Sequence, residues 1–159
     1  MINVGDTLPE VTFSLRENGE GSNPTTADLF ADKKVVLFAV PGAYTPTCSN
    51  THLPGYITLA DKLTAKDVDS IICLSVNDAF VMEAWGKSQN AEEVTMLADG
   101  GAEFSQAIGL AKDTGTFGGL RSGRYSMLVE NGVVKALNIE APGKFEVSDA
   151  QSMLAALNG

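Results

Sequence analysis

The chain has 159 residues, 44% of them hydrophobic and 19% charged, and carries a formal net charge of −9. With no basic run longer than Lys33–Lys34, that charge repels polyanions and argues against nucleic acid or an anionic membrane surface as a partner. The longest apolar run, Val35–Val40, is too short to span a bilayer, and two cysteines with one histidine cannot complete a zinc site of four protein ligands.

The length suits a single domain, residues 1–159, burying about 70% of its unfolded surface. The opening MINVGDTLPE lacks a basic segment followed by an apolar one, so no secretory signal is expected. Two cysteines fit a reducing, cytoplasmic location better than a disulfide framework. Along the chain, VTFSLR (11–16) predicts a short strand running into the turn-rich ENGEGSNPTT. VVLFAV (35–40) is apolar on both faces, as a strand covered from both sides must be. Residues 46–66 then place Leu53, Ile57, Ala60 and Leu63 at helical spacing, with a kink expected at Pro54. SIICLSV (70–76) is a second doubly apolar strand.

Asn77 or Asp78 can cap a helix over residues 79–89, whose apolar face is expected to be Phe80, Val81, Ala84 and Trp85. VTMLAD (94–99) predicts a third strand and AEFSQAIGL (102–110) a short helix. RYSMLVENGVVKALNIE (124–140) predicts a hairpin turning at Asn131–Gly132, a type I′ dipeptide. SDAQSMLAALNG (148–159) predicts a helix opened by a capping box from Ser148 to Gln151. This order predicts an α/β fold, a central mixed sheet with helices on both faces.

In such sheets the reactive crevice lies beyond the carboxyl end of a central strand, where a helix begins. Cys48 falls there, within PGAYTPTCSNTHLPG (41–55). Thr45 is expected as the N-cap and Pro46 as the first helical residue, which puts Cys48 in the first turn. Free backbone N–H groups and the helix dipole favour a thiolate at that position. By position alone, a small buried apolar cysteine is an equally good reading.

Pro41, Thr45 and Cys48 spell P-x-x-x-T-x-x-C, and the whole segment resembles the active-site stretch of peroxiredoxins. CLSVNDAFVMEAWGK (73–87) and GRYSMLVENGVVKALNIE (123–140) resemble the matching parts of the type II (Prx5) branch. The resemblance implies a thioredoxin-like fold and reduction of hydrogen peroxide and organic hydroperoxides with no cofactor, neither metal nor haem. It implies Cys48 as the peroxidatic nucleophile and Thr45 as a hydroxyl for peroxide and thiolate. It further implies Pro41 as a shield against water, Arg124 as the residue completing the pocket, and a homodimer. The chemistry suits these residue types. Charge moves from sulfur to the departing oxygen, so donors are needed at both ends, and a guanidinium cannot lose its proton.

The sulfenic acid so formed must then be reduced. Cys48 is followed by Ser49, Asn50 and Thr51, so no C-x-x-C supports a thioredoxin-like disulfide oxidoreductase. A non-catalytic binding or holdase module would be indifferent to Cys48→Ser. Cys73 is a candidate resolving thiol, but its doubly apolar strand predicts inert packing. The expectation is therefore a one-cysteine route recycled by glutathione and glutaredoxin. A Cys48–Cys73 disulfide reduced by thioredoxin is the alternative. His52 is expected to pack or hydrogen-bond rather than form a Cys–His dyad, and Arg121 to be solvated. Trp85 and the methionines are expected in the core, and GTFGGL (115–120) as a flexible loop near Arg124 rather than a phosphate cradle.

Overall fold

The structure is a computed structural model that describes residues 1–158. The two doubly apolar runs and VTMLAD become adjacent parallel strands: β3 (Lys34–Ala39), β4 (Ser70–Ser75) and β5 (Thr95–Ala98). They lie inside a seven-stranded mixed sheet of order β2-β1-β5-β4-β3-β8-β9, whose other pairings are antiparallel. β1 (Ser14–Glu17) and β2 (Glu20–Ser22) form one edge, β8 (Tyr125–Glu130) and β9 (Val133–Ile139) the other. The β8–β9 hairpin turns at Asn131 and Gly132, both at positive φ (49° and 77°), as a type I′ turn requires.

Alternation along each strand sorts its side chains into two cores. Val36, Phe38, Ile71 and Cys73 pack under α2 (Leu53–Thr64), α3 (Ala79–Ser88) and α5 (Ala150–Asn158). Val35, Leu37, Ile72 and Leu74 face α1 (Thr26–Phe30) and α4 (Glu103–Ala107). This is the thioredoxin-like α/β architecture expected, with helices on both faces of a mixed sheet. A two-stranded sheet, β6 (Ala111–Asp113) with β7 (Leu120–Ser122), stands beside the main one.

Several local expectations are corrected. α1 was not foreseen, although Thr25 and Asp28 form a complete capping box. On α3 the buried residues are Met82, Trp85 and Gly86, while Phe80 is 66% exposed and stacks on Arg16 at 4.5 Å. Apolar residues occupy both sides of this helix, so spacing alone did not select the face; packing of the largest ring did. The cap of α3 is Asp78, whose Oδ1 accepts from Val81 N at 2.8 Å. α5 is capped by Asp149 rather than Ser148: the Asp149 carboxylate accepts from Ser152 N at 3.2 Å. Ser148 instead donates its hydroxyl to the Glu140 carboxylate at 2.7 Å, a charge-assisted bond. Gly159, the last residue of that predicted helix, lies outside the described residues.

Candidate active site

β3 ends in the core, and Val40 N donates to Leu74 O at 3.0 Å before the chain leaves the sheet at Pro41. The loop that follows is held tightly. Tyr44 has φ +66°, unusual for an aromatic residue, and Ala43 N donates to Asn77 Oδ1 at 3.0 Å. The helix starts at Pro46, and Ser49 N donates to Thr45 O at 2.9 Å, so Thr45 occupies the N-cap position through its carbonyl. Its side chain does not cap as expected: Thr45 Oγ1 donates to Gly42 O at 2.7 Å.

Cys48 lies in the first turn, which is wide: residues Cys48–His52 are π-helical, and Leu53 N donates to Cys48 O. Pro54 explains the widening. It has no N–H for the i−4 carbonyl of Asn50, and its ring would press on that carbonyl in a regular turn. The irregularity expected at Pro54 therefore appears one turn earlier.

Cys48 is fully buried, and Arg124 reaches it from the start of the β8 segment: Nη2 donates to Cys48 Sγ at 3.1 Å. Arg124 Nη1 lies 2.8 Å from His52 Nδ1, and His52 Nε2 lies 3.0 Å from Ser148 O. Both partners dictate the tautomer. A carbonyl can only accept, so Nε2 carries the proton; a guanidinium can only donate, so Nδ1 accepts. Burial, reinforced by the Arg124 charge, holds the His52 pKa down at about 3. His52 is thus a neutral acceptor for Arg124, in line with the hydrogen-bonding role expected of it. Phe38, Tyr56 and Phe145 enclose its ring at centroid distances of 4.9, 5.7 and 4.8 Å.

The Ser148 carbonyl is itself fixed. It also accepts from Tyr56 Oη at 2.9 Å, and Glu140 receives Ser148 N and Oγ, both at 2.7 Å, plus Val147 N at 2.9 Å. Nothing in the spacing of Glu140 or Ser148 pointed to the site; these contacts are tertiary. Arg121 was expected in solvent but is half-buried, donating to Gly118 O at 3.0 Å and Val76 O at 3.1 Å. A Cβ on Gly118 would collide with its guanidinium, which gives that glycine of GTFGGL a packing reason. The segment is also closed by hydrogen bonds, Thr114 N and Oγ1 both donating to Gly119 O, so it is a pinned hairpin loop rather than an open one.

Cys73 is fully buried at the middle of β4, in register with Phe38 on one side and Met96 on the other. Burial pushes its thiol well above the ordinary value, the Cys48 charge adding and Arg124 opposing. Both cysteines are free thiols in the same core. Pro41 and Thr47 line a cavity of about 260 Å3 whose wall includes Arg124. A buried sulfur, a guanidinium aimed at it and an adjoining cavity can support nucleophilic attack by a thiolate on a small electrophile.

The chain is similar to known proteins over nearly its whole length. The sequence matches the Redoxin family over residues 3–154. It is 50% identical to Peroxiredoxin-2E-2, chloroplastic, of Oryza sativa subsp. japonica, across 98% of this chain and 72% of that protein. It is 46% identical to Peroxiredoxin-2D of Arabidopsis thaliana, across 98% of both. The crystal structure of reduced Prx3 from Vibrio vulnificus in complex with H2O2 superposes with a TM-score of 0.97 at 61% identity, covering 99% of each chain. On these matches the chain belongs to the Redoxin family and, within it, to the peroxiredoxins.

Proposed function

We propose that this peroxiredoxin is a thiol peroxidase that reduces hydrogen peroxide and organic hydroperoxides at Cys48. The observation that carries this reading is the 3.1 Å hydrogen bond from Arg124 Nη2 to a buried Cys48 sulfur in a helix's first turn. The thiolate attacks one peroxide oxygen; an S–O bond forms, the O–O bond breaks, and the departing oxygen takes a proton to leave as water or alcohol. Arg124 supports the thiolate before attack and the departing oxygen during it. Thr45 has its proton committed to Gly42 O, so its oxygen offers lone pairs to the peroxide O–H. Pro41, at the cavity wall, shields the sulfur from water.

The oxidised Cys48 is returned to thiol by a one-cysteine route with glutathione and glutaredoxin. Support comes from Cys73: a fully buried thiol whose burial opposes ionisation is a poor attacking group. The working form is a homodimer, supported by the exposed aromatic rings of Tyr44, Phe80 and Phe117. Two free thiols suit a reducing compartment such as the cytoplasm.

The direct test is stopped-flow consumption of hydrogen peroxide. Cys48→Ser should abolish it, and Arg124→Met should lower the rate by about 10²–10³ while the protein stays folded. Consumption that survives in Cys48→Ser would end this reading.

A further inference from the structure

Hydrogen peroxide is neutral and little larger than water, whose share of liquid volume is about 30 Å3. The cavity beside Arg124 is about 260 Å3, so its size and its charge exceed what that substrate needs. Besides Pro41 and Thr47, its wall carries Lys112 and Lys144. Neither lysine, nor Arg124, has a carboxylate within salt-bridge distance among the described residues. The lining also includes Glu140, but that carboxylate is already occupied by the N–H groups of Glu146, Val147 and Ser148 and by the Ser148 hydroxyl. The cavity therefore carries a net formal charge of +2 on a chain whose total is −9. A cleft of one sign concentrates ligands of the other.

We propose that this mouth binds the carboxylate of a small co-substrate through Lys112 and Lys144, with Phe145 offering an apolar surface to its carbon chain. The proposal rests on the peroxidase reading above. Two co-substrates can bring a carboxylate: the hydroperoxide, or the thiol that reduces oxidised Cys48. In the second case the thiolate sulfur bonds to the Cys48 sulfur, the S–O bond breaks, and hydroxide leaves and is protonated to water. Cys48 is thereby reduced from sulfenic acid, and the thiol is oxidised to half of a mixed disulfide. Either way, holding the carboxylate at the rim aims the reacting atom inward towards Arg124.

Two pairs of probes, each differing in one carboxylate, test this. For oxidation the pair is linoleic acid hydroperoxide and its methyl ester. For reduction of the pre-formed sulfenic acid it is 3-mercaptopropionate and its methyl ester, compared per thiolate. Cys48 oxidation by hydrogen peroxide is measured first; if it does not occur, the peroxidase reading itself fails and takes this proposal with it. If it occurs, the anionic member should react faster in at least one pair, and that pair identifies the source of the carboxylate. The preference should shrink by up to about fivefold in each of Lys112→Gln and Lys144→Gln, and fall as salt is raised. Lys62→Gln, on the exposed side of α2, should leave it intact. Equal rates for charged and neutral members in both pairs would overturn the proposal. So would a preference that survives in the Lys112→Gln/Lys144→Gln double variant.

Discussion

At the scale of single residues, Arg124 serves two partners with two nitrogens, sulfur at 3.1 Å and His52 at 2.8 Å. Lysine could not span both, because an ammonium is a point charge without a fixed fork. His52 titrates in an unusual window, about 3 when folded against about 6.5 when unfolded. Between these values the unfolded chain binds a proton that the folded chain refuses, so stability falls as the pH drops below 6.5. The slope is at most about 1.4 kcal/mol per pH unit. His52→Gln should flatten the change in urea midpoint between pH 7 and pH 5, a window above the ordinary carboxylate range. An unchanged slope would mean that His52 protonates freely in the folded protein. Thr45 gives a sharper contrast. Thr45→Ser keeps the oxygen and should keep most of the peroxide rate, whereas Thr45→Val should lose about 10²-fold or more. Activity kept in Thr45→Val but lost in Thr45→Ser would point to the methyl group, which lies close to Gly42, rather than to the hydroxyl.

At the scale of elements, the first turn of the helix decides what oxidised Cys48 can reach. The turn is fastened to α3, since Trp85 Nε1 donates to Ser49 Oγ at 2.9 Å. A disulfide needs Cα atoms within about 7 Å and facing Cβ vectors. Cys73 is held within the β3–β4–β5 ladder, so any movement that pairs the two cysteines falls to the turn and disturbs its bond to Trp85. Trp85 is therefore a built-in reporter. After one equivalent of peroxide without thiol, mass spectrometry should find an added oxygen at Cys48, with little change in Trp85 fluorescence. Rapid loss of two hydrogens, a Cys48–Cys73 cross-linked peptide and a large fluorescence change would instead favour the disulfide route with thioredoxin.

At the scale of the whole molecule, parallel strands β3, β4 and β5 direct their carboxyl ends to one edge, where several loops meet. Residues 41–45 carry the nucleophile segment, Asn77 holds it through Ala43 N, and Arg121 ties the loop before β7 to Val76. Tyr44 and Phe117 stand on these same segments and Phe80 in the first turn of α3; they are 54%, 69% and 66% exposed. Such rings are costly to leave in water if nothing covers them. If they form the dimer contact, Phe80→Asp combined with Phe117→Asp should shift sedimentation from dimer to monomer at micromolar concentration. A wild-type protein that sediments as a monomer would remove the homodimer from the proposed function.

Much of this protein is determined locally and is therefore legible in the chain itself. Doubly apolar runs mark β3 and β4 because both faces of a central strand are covered, and Asn131–Gly132 marks its turn because few residues accept positive φ. The placement of Cys48 and Thr45 at a helix start beyond a buried strand was legible from the chain, as was the peroxiredoxin-like motif they share with Pro41. Tertiary structure alone decided which side of α3 is buried and why Ser148 leaves its cap for Glu140. It alone also decided that Arg121 turns inward and that His52 meets Arg124. His52 and Arg124 are 72 residues apart in sequence, and His52 and Ser148 are 96 apart. No spacing rule links such positions; the sheet brings them together, and burial then forces each polar group to find the partner left within reach.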